Sequence, residues 1–464
     1  MKKTFLNLFI YLILISAMVL SGCGTQQNKI VNIPAKSNEF SFLHLDEFKN
    51  RGFTGIVPEY SSEVSVCFAD KNHEKTLMLF SSPIQYFNQY EILTPIDTRI
   101  SNVTNFTFKQ NGYVYQTASC DTSAYYSEYL SEEKGIIIGN KDYQYEFGIS
   151  SDEGLFSSYS EIRTFIDEPR YGIIYKNAFG KNTTLQSYPT SLGTRNEITI
   201  NKKRTDQKFI FWLDADGFKP RMEPGGYILL VSSEKDENGK EIIVGVIQPP
   251  LLKDKAGKLS VNNTLKIEKQ DNGRYMIEVL LDEEFVKDKN IKYPLMFDTC
   301  FEMRKEKQPD TQVFSGKPSL NQYLSNYTII GNHPEYGDSN CYIRYQFING
   351  YGLKPEQIKF VNYVTYNITN SEQDIDLFRV TEDWCSLTSN WNTKIPFDKK
   401  IVSTNAKRGV IKFDITDIAK DYSIDQSGEL QRNGLLMKSD NDKYNILASN
   451  DSTLYPTRTE ITLK

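Results

Sequence analysis

Apolar and polar residues alternate along much of this chain in short runs, and turn-forming residues break the runs at close intervals. In Leu265-Lys-Ile267-Glu-Lys-Gln-Asp271-Asn272-Gly273-Arg-Tyr275-Met-Ile277-Glu-Val279, apolar side chains recur at every second position on both sides of an Asn-Gly pair. That period places them on one face of an extended strand, and Asn-Gly accepts the positive φ angles of a tight hairpin. Tyr227-Ile-Leu-Leu-Val231 and Glu241-Ile-Ile-Val-Gly-Val246, joined through Asp236-Glu-Asn238-Gly239, predict a second hairpin. Long amphipathic helical patterns are scarce. Many short strands with turn signals at this spacing predict an all-β chain of tandem β-sandwich domains.

The chain has 464 residues, long for a single core. Its 39% hydrophobic and 24% charged residues fit a folded protein rather than a disordered one. The polar stretch from Ser150-Ser-Asp-Glu-Gly154 to Ser160 predicts one boundary, and the charged text Arg304-Lys-Glu-Lys-Gln-Pro309 after Tyr293-Pro294 predicts another. The expected division is an N-terminal β domain over 39–165, a second β domain over 166–303, and a C-terminal jelly-roll-like module over 304–464. No repeat of solenoid or propeller length interrupts this plan.

At the amino end, Met1-Lys2-Lys3 precedes an apolar run from Phe5 to Leu20, the pattern of an export signal. The run falls short of the roughly 20 apolar residues that span a bilayer. Leu20-Ser21-Gly22-Cys23 resembles the lipobox of bacterial lipoproteins, which implies a signal peptide over 1–22, cleavage before Cys23 and a diacylglyceryl group on its thiol. Two acyl chains anchor a protein stably, so residues 23–38 become a lipidated cysteine and polar stalk on the extracytoplasmic face of a cell membrane. An ordinary secretory signal with an incidental cysteine is the alternative. The other cysteines, Cys67, Cys120, Cys300, Cys341 and Cys385, are odd in number and widely spaced, so buried thiols are expected rather than a dense disulfide framework.

Net charge and motifs narrow the function. A formal charge of -5 with dispersed Lys and Arg gives no footprint for nucleic acid. The only histidines are His44, His73 and His333, and none sits in a zinc-binding or triad-like context. Nucleophile elbow, phosphate loop and dinucleotide fingerprint are all missing. No cofactor is implied. Asp214-Ala-Asp216-Gly217 and Asp236-Glu-Asn238-Gly239 lack the later Glu of a calcium loop and read as turns, while Asp310 and Asp414 are the loop oxygens to which a structural calcium ion would be assigned.

The stretch from Leu377 to Asn392 holds Trp384 and Trp391 among hydroxyl and amide side chains. A sugar packs its C-H face on an aromatic ring while polar side chains bond its hydroxyls, and Trp384, Trp391, Arg379, Glu382, Asp383 and Asn392 supply that chemistry. The competing reading makes both indoles lids on a core, since large aromatics mostly bury themselves. Glu382 and Asp383 are the carboxylate pair a glycan-cleaving enzyme would need. As turn acceptors for backbone N-H groups they need no chemistry at all.

From Tyr293 onward the text resembles the DNRLRE-type β-sandwich, related to carbohydrate-binding modules of bacterial surface proteins. The matching segments are Tyr293-Pro-Leu-Met-Phe-Asp298, Asp310-Thr-Gln-Val313, Tyr342-Ile-Arg-Tyr-Gln-Phe347, Val380-Thr-Glu-Asp-Trp384 with Asn390-Trp-Asn392, Phe413-Asp-Ile-Thr-Asp-Ile418, Asn433-Gly-Leu-Leu-Met-Lys438 and Ala448-Ser-Asn-Asp451. Gln312 stands where an aromatic is common, and Cys385 follows Trp384 where a small polar or acidic residue is usual. The front half is similar to the N-terminal region of wall-associated Rhs/YD-repeat proteins, through Ile96-Asp-Thr98, Tyr171-Gly-Ile-Ile-Tyr-Lys176 and Pro249-Pro250 before Asp254. The resemblance implies a non-catalytic surface protein that binds polysaccharide or cell-wall glycan through its C-terminal module. Its alternative is a structural or adhesive scaffold with a protein partner whose identity the sequence does not supply.

Overall fold

The computed structural model describes residues 31–32, 48, 50–150, 154–164, 169–204, 208–224, 226–303, 310–322, 325–344, 351–384, 386, 389–393, 395–425, 430, 433–452, 455 and 457–464. The fold is all-β, built of antiparallel sheets with three short α-helices among the described residues.

Both expected hairpins form. Thr264–Lys269 pairs with Tyr275–Leu280, and Ile228–Lys235 with Glu241–Ile247. In each turn only the glycine takes a positive φ, 88° at Gly273 and 76° at Gly239, so Asn272 and Asn238 stay on the ordinary side of the map.

Residues 97–303 form one two-sheet sandwich. Its eight-stranded sheet runs, in spatial order, Thr264–Lys269, Tyr275–Leu280, Lys208–Asp214, Gln144–Ile149, Ile136–Gly139, Ser123–Ser127, Tyr113–Ser119 and Asp97–Asn102. The facing eleven-stranded sheet is centred on Thr183–Pro189, Gly193–Ile200 and Leu295–Met303. Both sheets fill one core: Tyr126, Ile138, Phe147 and Phe211 come from the first, and Ile173, Ile198, Phe297 and Phe301 from the second. Phe147 stacks on Phe301 across the gap at 3.8 Å and 8°.

The division expected at 165 therefore cuts through a single core. The polar stretch behind that expectation leads into an edge-proximal strand, Leu155–Arg163, much of which faces solvent and so carries few apolar residues. The chain changes sheet instead between Met303 and Asp310.

The second unit is a fifteen-stranded sheet curled into a half-barrel around Leu77, Ile330, Val361, Ile375, Leu377, Phe413 and Ile461. Helix Thr416–Ile424 lays Ile418, Ala419 and Tyr422 onto that core. Strands from both chain ends build this sheet: Phe53–Ile56, Ser65–Asp70 and Lys75–Phe80 join it through the pairing of Lys75–Phe80 with Arg458–Leu463. The segment expected within the N-terminal domain thus belongs to the C-terminal sheet up to Phe80. The sandwich is inserted between Phe80 and Asp310.

The units meet over an apolar seam. Ile162, Tyr188 and Leu251, from the sandwich, pack on Phe314, Ile329, Tyr336, Ile368 and Ile446. Beside it Arg195, 0% exposed, donates to Asp298 within the sandwich and to Tyr327 of the half-barrel.

Candidate functional site

Strand Gln373–Val380 ends at the loop that holds the expected aromatic pair. Phe378 and Val380 share one strand face and Arg379 takes the other. Arg379 is accordingly drawn to Asp398, with its Nε 3.0 Å from Oδ1, and does not join the tryptophans. Trp384 is 6% exposed, packed against Val313, Tyr342, Val380, Ile395 and Leu436. Its indole N-H donates to the Asn433 carbonyl at 2.8 Å. Arg344 lies 4.7 Å over the ring and donates to Asp383 Oδ1 and the Trp384 carbonyl. Asp383 also accepts the Trp384 backbone N-H at 2.8 Å, the turn-acceptor role. Arg344 was not singled out from sequence for this position.

Trp391 opens a 3-10 turn, Trp391–Thr393, and packs half-buried on the same cluster. Asn392 is exposed, its backbone N-H held by Asn390 Oδ1 at 3.0 Å, and Glu382 is exposed as well. The loop thus brings Trp384 and Trp391 to one cluster, with Trp384 committed to the interior, while Asp383 and Asn392 are exposed.

Cys23 and Cys385 lie outside the described residues, and so does the expected stalk over 23–38 except Val31–Asn32, which is not free stalk but a short strand paired with Ile56 and Gly55. Cys67, Cys300 and Cys341 are buried thiols, and Cys120, half-buried, donates to the Ser191 carbonyl at 3.1 Å. Asp310 accepts the Asn450 N-H at 2.8 Å, and Asp414 accepts both N-H and O-H of Thr416. Among the described residues no group of three or more His, Cys, Asp or Glu side chains is placed to hold a metal ion.

A second aromatic surface lies in the sandwich. Tyr115 from the eight-stranded sheet and Tyr159 and Tyr171 from the eleven-stranded sheet form a row, with ring centroids 6.0 and 5.3 Å apart and planes within 28° and 23° of parallel. Tyr159 pairs directly with Ile173, a core residue, and Tyr171 lies two positions from Ile173 on the same strand face. The row therefore continues the core side of the sheet to the mouth of the sandwich, where Tyr159 is 45% and Tyr171 56% exposed. Burial, with Tyr171 beside it, raises the Tyr159 phenol above the ordinary tyrosine value, and the positive charge of Arg99 works against them. Arg99 itself is gripped by Asp97, its Nε 2.9 Å from both carboxylate oxygens.

Sequence reasoning missed this row because each tyrosine reads as an ordinary strand residue. Which strand positions sit at an open mouth depends on how far the opposite sheet reaches, and no local pattern encodes that.

No family model matches the chain, and no curated protein matches it.

Proposed function

We propose that this chain is a lipid-anchored protein of the extracytoplasmic membrane face that binds polysaccharide without cleaving it. The observation that carries the reading is the row of half-buried Tyr115 and exposed Tyr159 and Tyr171. Contiguous exposed aromatic surface is unusual on a protein with no partner for it, and tyrosine offers an apolar ring with a polar tip. Trp391, half-buried in a loop beside the exposed Asn392, supplies a further ring in the C-terminal module. The lipobox-like Leu20-Ser21-Gly22-Cys23 and the resemblance of 293–464 to carbohydrate-binding modules support the same reading.

Binding of the full chain to a glycan array tests it, with Tyr159→Ala, Tyr171→Ala and Trp391→Ala alongside and the melting temperature of each recorded. Lost binding in variants that melt normally supports the proposal. An array with no bound glycan overturns it.

A structural or adhesive scaffold with a protein partner is the second reading. The seam of Ile162, Tyr188 and Leu251 against the half-barrel favours it, because an apolar interface holds the units as one body suited to presenting surfaces at fixed separation. Crosslinking on intact cells that recovers no partner would remove it.

A further inference from the structure

Four chain segments end side by side at one end of the sandwich. The turn 176–182 touches 201–204 through the Asn201 N-H on the Asn182 carbonyl, 2.9 Å. Ile200 pairs with Leu295, which brings 201–204 beside the segment 288–293. The turn 254–258 joins that segment through the Lys255 N-H on the Lys292 carbonyl, also 2.9 Å. Together these segments carry nine cations, Lys176, Lys181, Lys202, Lys203, Arg204, Lys255, Lys258, Lys289 and Lys292, against two acids, on a chain whose net charge is -5.

Both acids are engaged within the turns. Asp254 is 3% exposed and accepts the backbone N-H groups of Lys258 and Lys292 at 2.9 and 3.1 Å. Asp288 accepts Lys258 Nζ at 2.6 Å and the Asn290 N-H at 2.9 Å. In the neighbouring helix Glu283–Lys287, Lys287 pairs with Glu283, and Glu284 is exposed. Lysines scattered over a surface are ordinary solvated charge. Eight of them with one arginine, drawn to one end of an acidic protein, are a local positive field.

Within that field is an open hollow lined by Lys255, Ala256, Ile291, Lys292 and Tyr293. No carboxylate lines it. Tyr293 and Ile291 offer apolar surface, and the two ammonium groups offer charge-assisted hydrogen bonds. A carboxylate set directly on a pyranose ring matches both, because the ring's C-H face and the charge then lie within one sugar unit.

We propose that this hollow binds a carboxylate-bearing sugar unit of a polyanionic glycan, with the surrounding lysines following the charges of neighbouring units. The inference rests on the polysaccharide-binding reading and gives it a second site and a charge class. It places recognition at the opposite chemistry from the tyrosine row, where ring stacking dominates.

The test is binding of the full-length protein in detergent to polygalacturonate, against the same polymer fully methyl-esterified, with phosphatidylglycerol and phosphatidylcholine vesicles as lipid arms. We expect binding to polygalacturonate that weakens with salt and is absent on the ester. Lys255→Ser and Lys292→Ser each remove a contact of the charge-assisted class and lower affinity about tenfold. Lys202→Ser/Lys203→Ser lowers it too, while Lys255→Arg and Lys292→Arg retain it. Equal binding to polymer and ester, or binding indifferent to the serine variants, overturns the inference while leaving the proposed function intact. Preference for phosphatidylglycerol vesicles with no polygalacturonate binding assigns the field to a membrane surface and also overturns it. Binding to no glycan of any kind removes inference and proposed function together.

Discussion

Arg51 and Glu460, 409 positions apart in the chain, meet in a double hydrogen bond of 2.7 and 2.8 Å. Arg458 Nε at 2.9 Å and Lys412 Nζ at 3.1 Å complete a cationic ring around this one carboxylate, which is 3% exposed. The group ties the first strands of the chain to the last.

Burial alone would raise the Glu460 carboxyl, but Arg51, Arg458 and Lys412 together overcome it and hold its pKa at about 2. A carboxyl whose folded pKa lies below its unfolded one stabilises the fold above the unfolded value and loses that contribution as pH falls through the folded value. The Glu460 contribution, on the order of 3 kcal/mol, is therefore complete above roughly pH 5 and fades toward pH 2. Asp298 works the other way: burial raises its carboxyl even against Arg195, so its contribution is fullest at low pH and is lost as pH rises. Comparing wild type with Glu460→Gln in urea melts isolates the first term. The stability gap between them is expected to close between pH 5 and pH 2. A gap that stays constant across that range would show that the ring of cations does not act through ionised Glu460.

Arg195 links the two units from a fully buried position. Replacing it with Met leaves Asp298 buried without its cation and Tyr327 without its donor, at a cost of about 3–5 kcal/mol. Thermal unfolding should then resolve into two transitions, one per unit, where wild type shows tighter coupling. Adding Asp298→Leu to Arg195→Met should recover much of the loss, since the buried carboxyl left without its partner is the costly part.

Trp384 serves the cluster beneath it. Trp384→Ala should destabilise the chain by about 3–5 kcal/mol, and Trp384→Phe by about 1 kcal/mol through loss of the bond to the Asn433 carbonyl. Trp391→Ala, at a half-buried position, should cost clearly less. Denaturant midpoints of the three variants decide the order, and equal losses at both tryptophans would contradict it.

Gly148 sits against the third tryptophan. A methyl group added there would meet the Trp212 indole at 2.5 Å. Gly148→Ala should cost about 1–3 kcal/mol through this overpacking, visible as an earlier thermal melt. Trp212→Leu in the same chain should make the alanine better tolerated, whereas an unchanged penalty would place the strain in the backbone.

The hairpins at 264–280 and 228–247 were readable because their information is local: alternation sets the face, and the glycine that follows Asn272 or Asn238 sets the turn. The pairing of Leu77 with Ile461 was not readable, since nothing in either strand distinguishes that partner from any other apolar strand. For the same reason the boundary expected at 165 missed the common core of Phe147 and Phe301. At the candidate site, the loop holding Trp384 and Trp391 stood out through rare residues close together. Tyr115, Tyr159 and Tyr171 did not, because their nearness exists only after two sheets have packed. The lysine-rich end was hidden likewise, its charges spread over four segments that are individually unremarkable.

The insertion of the sandwich between Phe80 and Asp310 has a mechanical meaning if the chain is held at its amino end as proposed. Tension applied near Arg51 and resisted by the half-barrel is carried by the ladder between Lys75–Phe80 and Arg458–Leu463, with the Arg51–Glu460 clasp in parallel. The sandwich hangs as a closed loop outside that load path. Under the proposed anchoring, a pull on the tyrosine row or the lysine-rich end leaves the sandwich through both of its connections, after Phe80 and before Asp310, and across the seam of Ile162, Tyr188 and Leu251, so the load is shared before it reaches that ladder.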